Sequence, residues 1–273
     1  MSPLPSLFIS HGAPTFALQP GLAGPQLRAL GARLPRPRAV LALSPHWMRP
    51  GADVTGTERP ATIHDFGGFE RRLYEIEYPV AGDPALAQQV RQRLQAAGIR
   101  GQIDPGRGLD HGVWVPLLHL FPNADVPVVQ LAMPPGGAPK DYYAMGQALA
   151  PLADDGVLMI GSGTLTHNLY DIAPGAAPPA YVLEFRDWVR NCLAQGDLTA
   201  LLDYRRVAPG AARAHPTDEH LMPLYFALGA ADDWRQNRVI DGGVDYGVLS
   251  MDSFAFGSGS AAAFAPEVAD AAA

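Results

Sequence analysis

The residues in this chain best suited to chemistry are its histidines. There are eight of them, against one cysteine, Cys192. A single thiol allows neither an intrachain disulfide nor a thiolate cluster, so any metal must be held by imidazole or carboxylate. Three histidines stand just beyond short apolar runs. His11 follows Leu7–Ser10, His46 follows Ala39–Ser44, and His167 comes a few residues after Val157–Ser162. In open α/β sheets ligands bind outside the carboxyl ends of the strands. If these runs are parallel strands, imidazoles from distant parts of the sequence converge on one sheet edge, where they suit a divalent metal.

The remaining histidines divide by context. His111, in Leu109-Asp110-His111-Gly112, is placed on a turn ahead of an apolar helix. His220 closes His215-Pro216-Thr217-Asp218-Glu219-His220, where Thr217 is suited to cap a helix carrying Glu219 and His220. His215 and His220 compete, since one of them can serve only to tie a loop. His64 and His119 read as structural. Trp47, Phe66 and Phe69 are candidates for an aromatic slot and equally good candidates for ordinary core. No GxSxG elbow, GxGxxG or Walker pattern accompanies them, so a serine hydrolase and a nucleotide-phosphate loop find no support.

Positioning such groups requires a framework of alternating strands and helices. Strands are predicted at Leu7–Ser10, Ala39–Ser44, Ile99–Ile103, Val126–Met133, Val157–Ser162, near Val239 and over Val248–Phe256. Helices are predicted over 22–33, 84–97, 140–153, 180–195, 197–204 and 217–228. Asp83 caps the second of these, and Pro84 suits its first turn. The alternation predicts a three-layer α/β sandwich with a central, mostly parallel or mixed sheet and helices on both faces.

The 273 residues are expected to form one domain over 1–256, followed by a flexible Gly/Ser/Ala-rich tail at 257–273. With 48% hydrophobic and 17% charged residues the chain can bury a core. The net charge of −7, with Lys140 the sole lysine, offers no basic patch for nucleic acid. Neither a signal peptide nor a membrane span is evident, so a cytoplasmic protein is expected. Composition leaves homo-oligomerisation open.

Six motifs in register carry a family resemblance: His11-Gly12-Ala13-Pro14, Ser44-Pro45-His46-Trp47, Asp65-Phe66-Gly67-Gly68-Phe69, Leu109-Asp110-His111-Gly112, Gly161-Ser162-Gly163 with His167-Asn168-Leu169, and His215 to His220. Together, from about residue 7 to 256, they resemble the class III extradiol ring-cleavage dioxygenases, in particular the 4,5-DOPA dioxygenase-like branch. The resemblance implies His11, His46 and His220 as metal ligands. It implies His167 as a fourth ligand or acid/base residue, and His111 as a contact for substrate or oxygen. It implies one divalent metal per chain, Fe(II) for ring cleavage or Zn(II) as bound, with a catechol-type diol and O2 as small-molecule partners. Where related enzymes complete the site with a carboxylate, this pattern offers His220. Glu219 is adjacent, but neighbours on a helix point about 100° apart. Two other functions use the same residues: a zinc hydrolase activating water, and a non-catalytic metal-binding protein.

Overall fold

The computed structural model describes residues 4–264. Among them the strands are β1 Ser6–Ser10, β2 Ala39–Met48, β3 Val54–Thr55, β4 Ile103–Asp104, β5 Val128–Met133, β6 Val157–Gly163, β7 Asn237–Ile240, β8 Val244–Asp245, β9 Leu249–Ser250 and β10 Ser253–Phe256. The α-helices are α1 Ala23–Arg33, α2 Pro84–Ala96, α3 His111–Leu120, α4 Pro139–Leu149, α5 Ala180–Gln195, α6 Leu198–Leu202, α7 Tyr204–Val207, α8 Ala211–Ala214, α9 Met222–Ala230 and α10 Gly259–Ala263.

Eight strands form one mixed sheet in the order β4-β3-β5-β2-β6-β1-β10-β7. Its centre, β5-β2-β6-β1, is wholly parallel, as the histidine placement requires. Alternation along these strands builds the three layers. Leu41, Leu43, Val129, Leu131 and Met159 face a core shared with α2, α4, α5 and α9. Val40, Ala42, Val128, Leu158 and Ile160 face a second core shared with α1 and α3. Because each strand is apolar on both faces, a one-residue slip of register would exchange the two sets of packing partners.

Helix boundaries follow local chemistry. The Asp83 carboxylate accepts from Leu86 N at 2.9 Å, and Pro84 opens α2. The αL residue Gly196 ends α5 at φ 69°. Five expectations need correction. The strand at 99–103 is realised only at Ile103–Asp104, because Ile99 N turns back to Leu94 O as the α2 C-terminus closes. Helix 140–153 is α4 only to Leu149, with a 3-10 turn at Ala150–Ala153 around Pro151. The helix predicted over 217–228 begins at Met222, so Thr217, Glu219 and His220 lie in the turns before it and Thr217 caps nothing. His111 is the first residue of α3 rather than part of a turn ahead of it. His46 lies inside β2, whose register with β5 shifts between Leu43 and Met48, where Pro45 is accommodated.

The segment expected as a tail from 257 starts with α10, whose Ala263 is buried in the second core; residues 265–273 lie outside the described residues. No helix among the described residues is long and apolar enough to cross a membrane.

Candidate active site

Five histidines meet at the carboxyl edge of the parallel strands. His11 follows β1, and its backbone N donates to Gly163 O at the end of β6. The same strand end receives His220, since Thr164 N donates to His220 O. That approach needs Gly163, where an added Cβ would lie 2.2 Å from His220 O. His46 and His111 face each other with ring centroids 4.0 Å apart. Gly112 makes this fit, because a Cβ there would lie 2.4 Å from Ser44 Oγ and 2.9 Å from His46 Cδ2. The rings of His11, His46 and His220 are mutually 5.1, 5.1 and 5.5 Å apart, and His167 stacks on His220 at 3.5 Å.

Hydrogen bonds fix which nitrogen carries the proton in three of these rings, His11, His111 and His220. Pro116 sits inside α3 without an N–H, so the carbonyl four residues back, Gly112 O, lacks its helical donor. The Ser162 hydroxyl donates to that oxygen and therefore accepts from His11 Nδ1 at 3.0 Å. His111 Nδ1 lies 3.0 Å and His46 Nδ1 3.6 Å from Asp65 Oδ2, while His220 Nδ1 lies 3.2 Å from Glu219 Oε1. The Nδ1 of His11, His111 and His220 is thus hydrogen-bonded to an oxygen acceptor, which leaves their Nε2 lone pairs free, while that of His46 only approaches Asp65. Nε2 of His11 and His46 are 3.1 Å apart, and His220 Nε2 is buried with no hydrogen-bond partner. Donors about 2.0–2.1 Å from one cation sit about 3 Å apart, so this all-imidazole set fits a divalent ion.

Sequence comparison bears on this geometry directly. Residues 22–250 match the family described as the catalytic LigB subunit of aromatic ring-opening dioxygenase. The chain belongs to this family. It is by class an extradiol aromatic ring-opening dioxygenase. It is 37% identical over 260 residues to the 4,5-DOPA dioxygenase extradiol of Beta vulgaris, covering 93% of this chain and 96% of that one. Its identity to the Escherichia coli K12 protein of the same name is 36% over 263 residues, covering 93% and 95%. The crystal structure of an uncharacterized Escherichia coli K12 protein superposes with a TM-score of 0.76 at 31% identity, covering 93% of this chain and all of that one.

Within this LigB-family site, distances offer two groupings of ligand atoms, His11-His46-His111 and His167-Glu219-His220. Glu219 therefore reaches the site, and the angular argument against it lapses with the missing helix. Its Oε1 accepts instead from His220 Nδ1 and from Thr217 Oγ1 at 2.9 Å. Burial, then the neighbouring imidazoles, holds His11 and His220 well below the ordinary histidine value. Burial and His111 take His46 down to about 3. Burial takes His167 to about 4 against the opposing charge of Glu219. Burial alone would raise Asp65, but hydrogen bonding and charge from His111 bring it to about 2. Neutral imidazoles beside an ionised carboxylate are the state metal binding needs.

Phe66 and Phe69 line a cavity of about 530 Å³ with His46, His111, His167 and His220. Phe66 stands edge-on to His111 at 5.6 Å. Trp47 does not line it. Its buried ring packs under the Arg107 guanidinium, whose Nη2 also approaches His46 O and the Asp110 carboxylate at 3.4 Å each. Asp110, fully buried, accepts from Ser44 Oγ at 2.8 Å and from Gln130 Nε2. A larger cleft of about 880 Å³ between Arg36 and Asp155 holds no histidine, whereas four line the smaller cavity. Asp65, Ser162 and Glu219 went unassigned from sequence. Asp65 was visible only as part of its motif, and no spacing says which imidazole it reaches.

Proposed function

We propose that this LigB-family enzyme opens the ring of a catechol-type diol with O2, using one divalent metal held by His11, His46 and His220. The observation that carries this is the pair of Nε2 atoms 3.1 Å apart on His11 and His46, together with the partnerless Nε2 of His220, whose ring lies 5.1–5.5 Å from theirs. Fe(II) supplies the electron transfer between diol and oxygen that Zn(II), lacking an accessible redox change, does not.

The chain's own residues do the rest. Phe66 and Phe69 hold the aromatic ring and exclude water from it. His167 lines the cavity with a neutral ring, which places its ring nitrogen to take a diol hydroxyl proton and to return it later in the cycle. His111 is fixed by Asp65 through Nδ1 and through its backbone N at 2.9 Å. That leaves its other nitrogen facing substrate or oxygen. Both oxygen atoms of O2 end in the ring-opened product.

DOPA is the reference diol, because relatives are named for it. Reconstitution with Fe(II) under argon, then a diol and air, should give stoichiometric O2 uptake and a yellow product. Silence across DOPA, protocatechuate and simple catechols would remove the proposal.

A further inference from the structure

The site cavity combines a polar floor with an apolar mouth. At the floor lie the imidazoles and Glu219. At the mouth, Phe69, Leu169 and Ile172 are 36%, 54% and 43% exposed, an unusual cost for large apolar side chains. Among the described residues no arginine or lysine lines it, and Glu219 is the one charged side chain that does. Three arginines on neighbouring segments are committed elsewhere, Arg107 to Asp110, Arg213 to Asp171 and Arg205 to Asp218, while the exposed Arg72, three residues past Phe69, has no carboxylate partner among the described residues and does not line the cavity. Arg71, two residues past Phe69, pairs with Glu75.

A carboxylate brought into such a mouth loses water and finds no cation in return; the one phenol there, Tyr246, is already bonded to Thr15 Oγ1 at 2.6 Å, and Glu219 repels the anion. An alkyl or aryl substituent loses nothing and covers apolar wall. The cavity volume falls in the roughly 300–1,000 Å³ range of sites that enclose more than a single small ring.

From this we infer that the enzyme selects vicinal diols whose ring carries an uncharged apolar substituent, and discriminates against those carrying a carboxylate, DOPA included. The inference rests on the ring-opening assignment and concerns the part of the substrate beyond the diol.

Four diols of similar size separate the charges: 4-propylcatechol (neutral), dopamine (cation), DOPA (zwitterion) and dihydroxyphenylpropionate (anion). Calorimetric binding to the metal-loaded protein without oxygen is measured first, then kcat/KM in air. The neutral diol should bind about tenfold or more tighter than the anion, as expected for an unpaired buried charge. Affinity along catechol, methyl-, ethyl- and propylcatechol should rise up to about fourfold per methylene. Ile172→Lys, and Leu169→Lys as a second variant, should improve the anion by up to about fivefold while weakening 4-propylcatechol.

Anion or DOPA binding within about threefold of 4-propylcatechol overturns the inference. So does a loss of DOPA affinity on Arg72→Ala, which would reveal a cation serving the mouth, and so does failure of all four diols to bind. The expected order of affinities without ring opening leaves the preference standing and removes the ring-opening proposal instead.

Discussion

Histidines occur in this molecule in two settings, and burial does not tell them apart. Away from the site, His64, His119 and His215 each set Nε2 against a backbone carbonyl, Ile76 O, Phe16 O and Leu165 O, at 2.9, 2.9 and 2.8 Å. A carbonyl only accepts, so these rings carry the proton on Nε2 and tie one segment to another. In the site the polarity reverses. Nδ1 of His11, His111 and His220 is bonded to Ser162, Asp65 or Glu219, and Nε2 is left as a lone pair. His215 and His220 are both buried and five residues apart, yet one ties its Nε2 to a carbonyl and the other leaves its Nε2 without a partner. What separates them is the acceptor each is given.

Removing one ring of each kind tests this most strongly. His220→Ala should abolish metal retention after gel filtration, a loss beyond the roughly 100-fold that an outer partner costs. His215→Ala should keep the metal and lower the unfolding midpoint. If the two variants exchange behaviours, the assignment by polarity is wrong. His167→Ala comes next. With the metal still bound, kcat should fall by about 10² to 10⁴, the usual contribution of a positioned acid/base group. Loss of metal instead would make His167 a ligand.

Asp65→Asn probes the acceptor itself. The amide can still receive one hydrogen bond, but it no longer favours the same tautomer of His111 and His46, so metal affinity in a chelator competition should drop about 10- to 100-fold. Unchanged affinity would reduce Asp65 to a loop tether.

Much of this site was legible in the sequence. His11, His46 and His167 were placed by one rule, that strands of a parallel sheet deliver their ends to a common edge, and β1, β2 and β6 obey it. Both faces of the sheet followed from runs such as Val40 to Leu43, which alternate between two cores. The failures were local. Thr217 followed by Glu219 looks like a helix start, yet tertiary pairing of Thr164 N with His220 O holds that segment as a turn. Trp47 suited the slot and ordinary core equally well, and alternation along the strand decides for core, since next to His46 it faces the other way. The link from Pro116 through Gly112 and Ser162 to His11 joins three separate segments, and no spacing in one dimension encodes it.

Acid should expose both kinds of ring at once in the metal-free protein. Folded-state values of about 3 for His46, about 4 for His167 and about 3 for His215 lie below the unfolded value near 6.5. Above pH 6.5 both states are neutral and these groups contribute nothing. Below it the unfolded chain takes up protons that the folded chain refuses, so stability falls from pH 6.5 down to the folded values. The slope is about 1.4 kcal/mol per pH unit for each histidine. Urea midpoints at pH 7 and pH 5 measure it, and His215→Gln should flatten the slope by about one proton's worth while the site rings retain theirs. An unchanged slope would mean that His215 titrates alike in both states.

The smallest effect belongs to His119. Its Nε2 bond to Phe16 O holds the turn after β1 against α3, and its ring packs on Phe16 with centroids 4.5 Å apart. Glutamine keeps a donor for the carbonyl but loses the ring contact, so His119→Gln should cost about 1 kcal/mol of stability. Metal affinity and kcat should not move, because nothing in the strut carries a lone pair toward the site. His119 is nevertheless connected to the centre, through the segment from His11 to Phe16. A drop in metal affinity with intact stability would show that a carbonyl-tied imidazole can tune a ligand at a distance, and the division between struts and donors would then be one of degree.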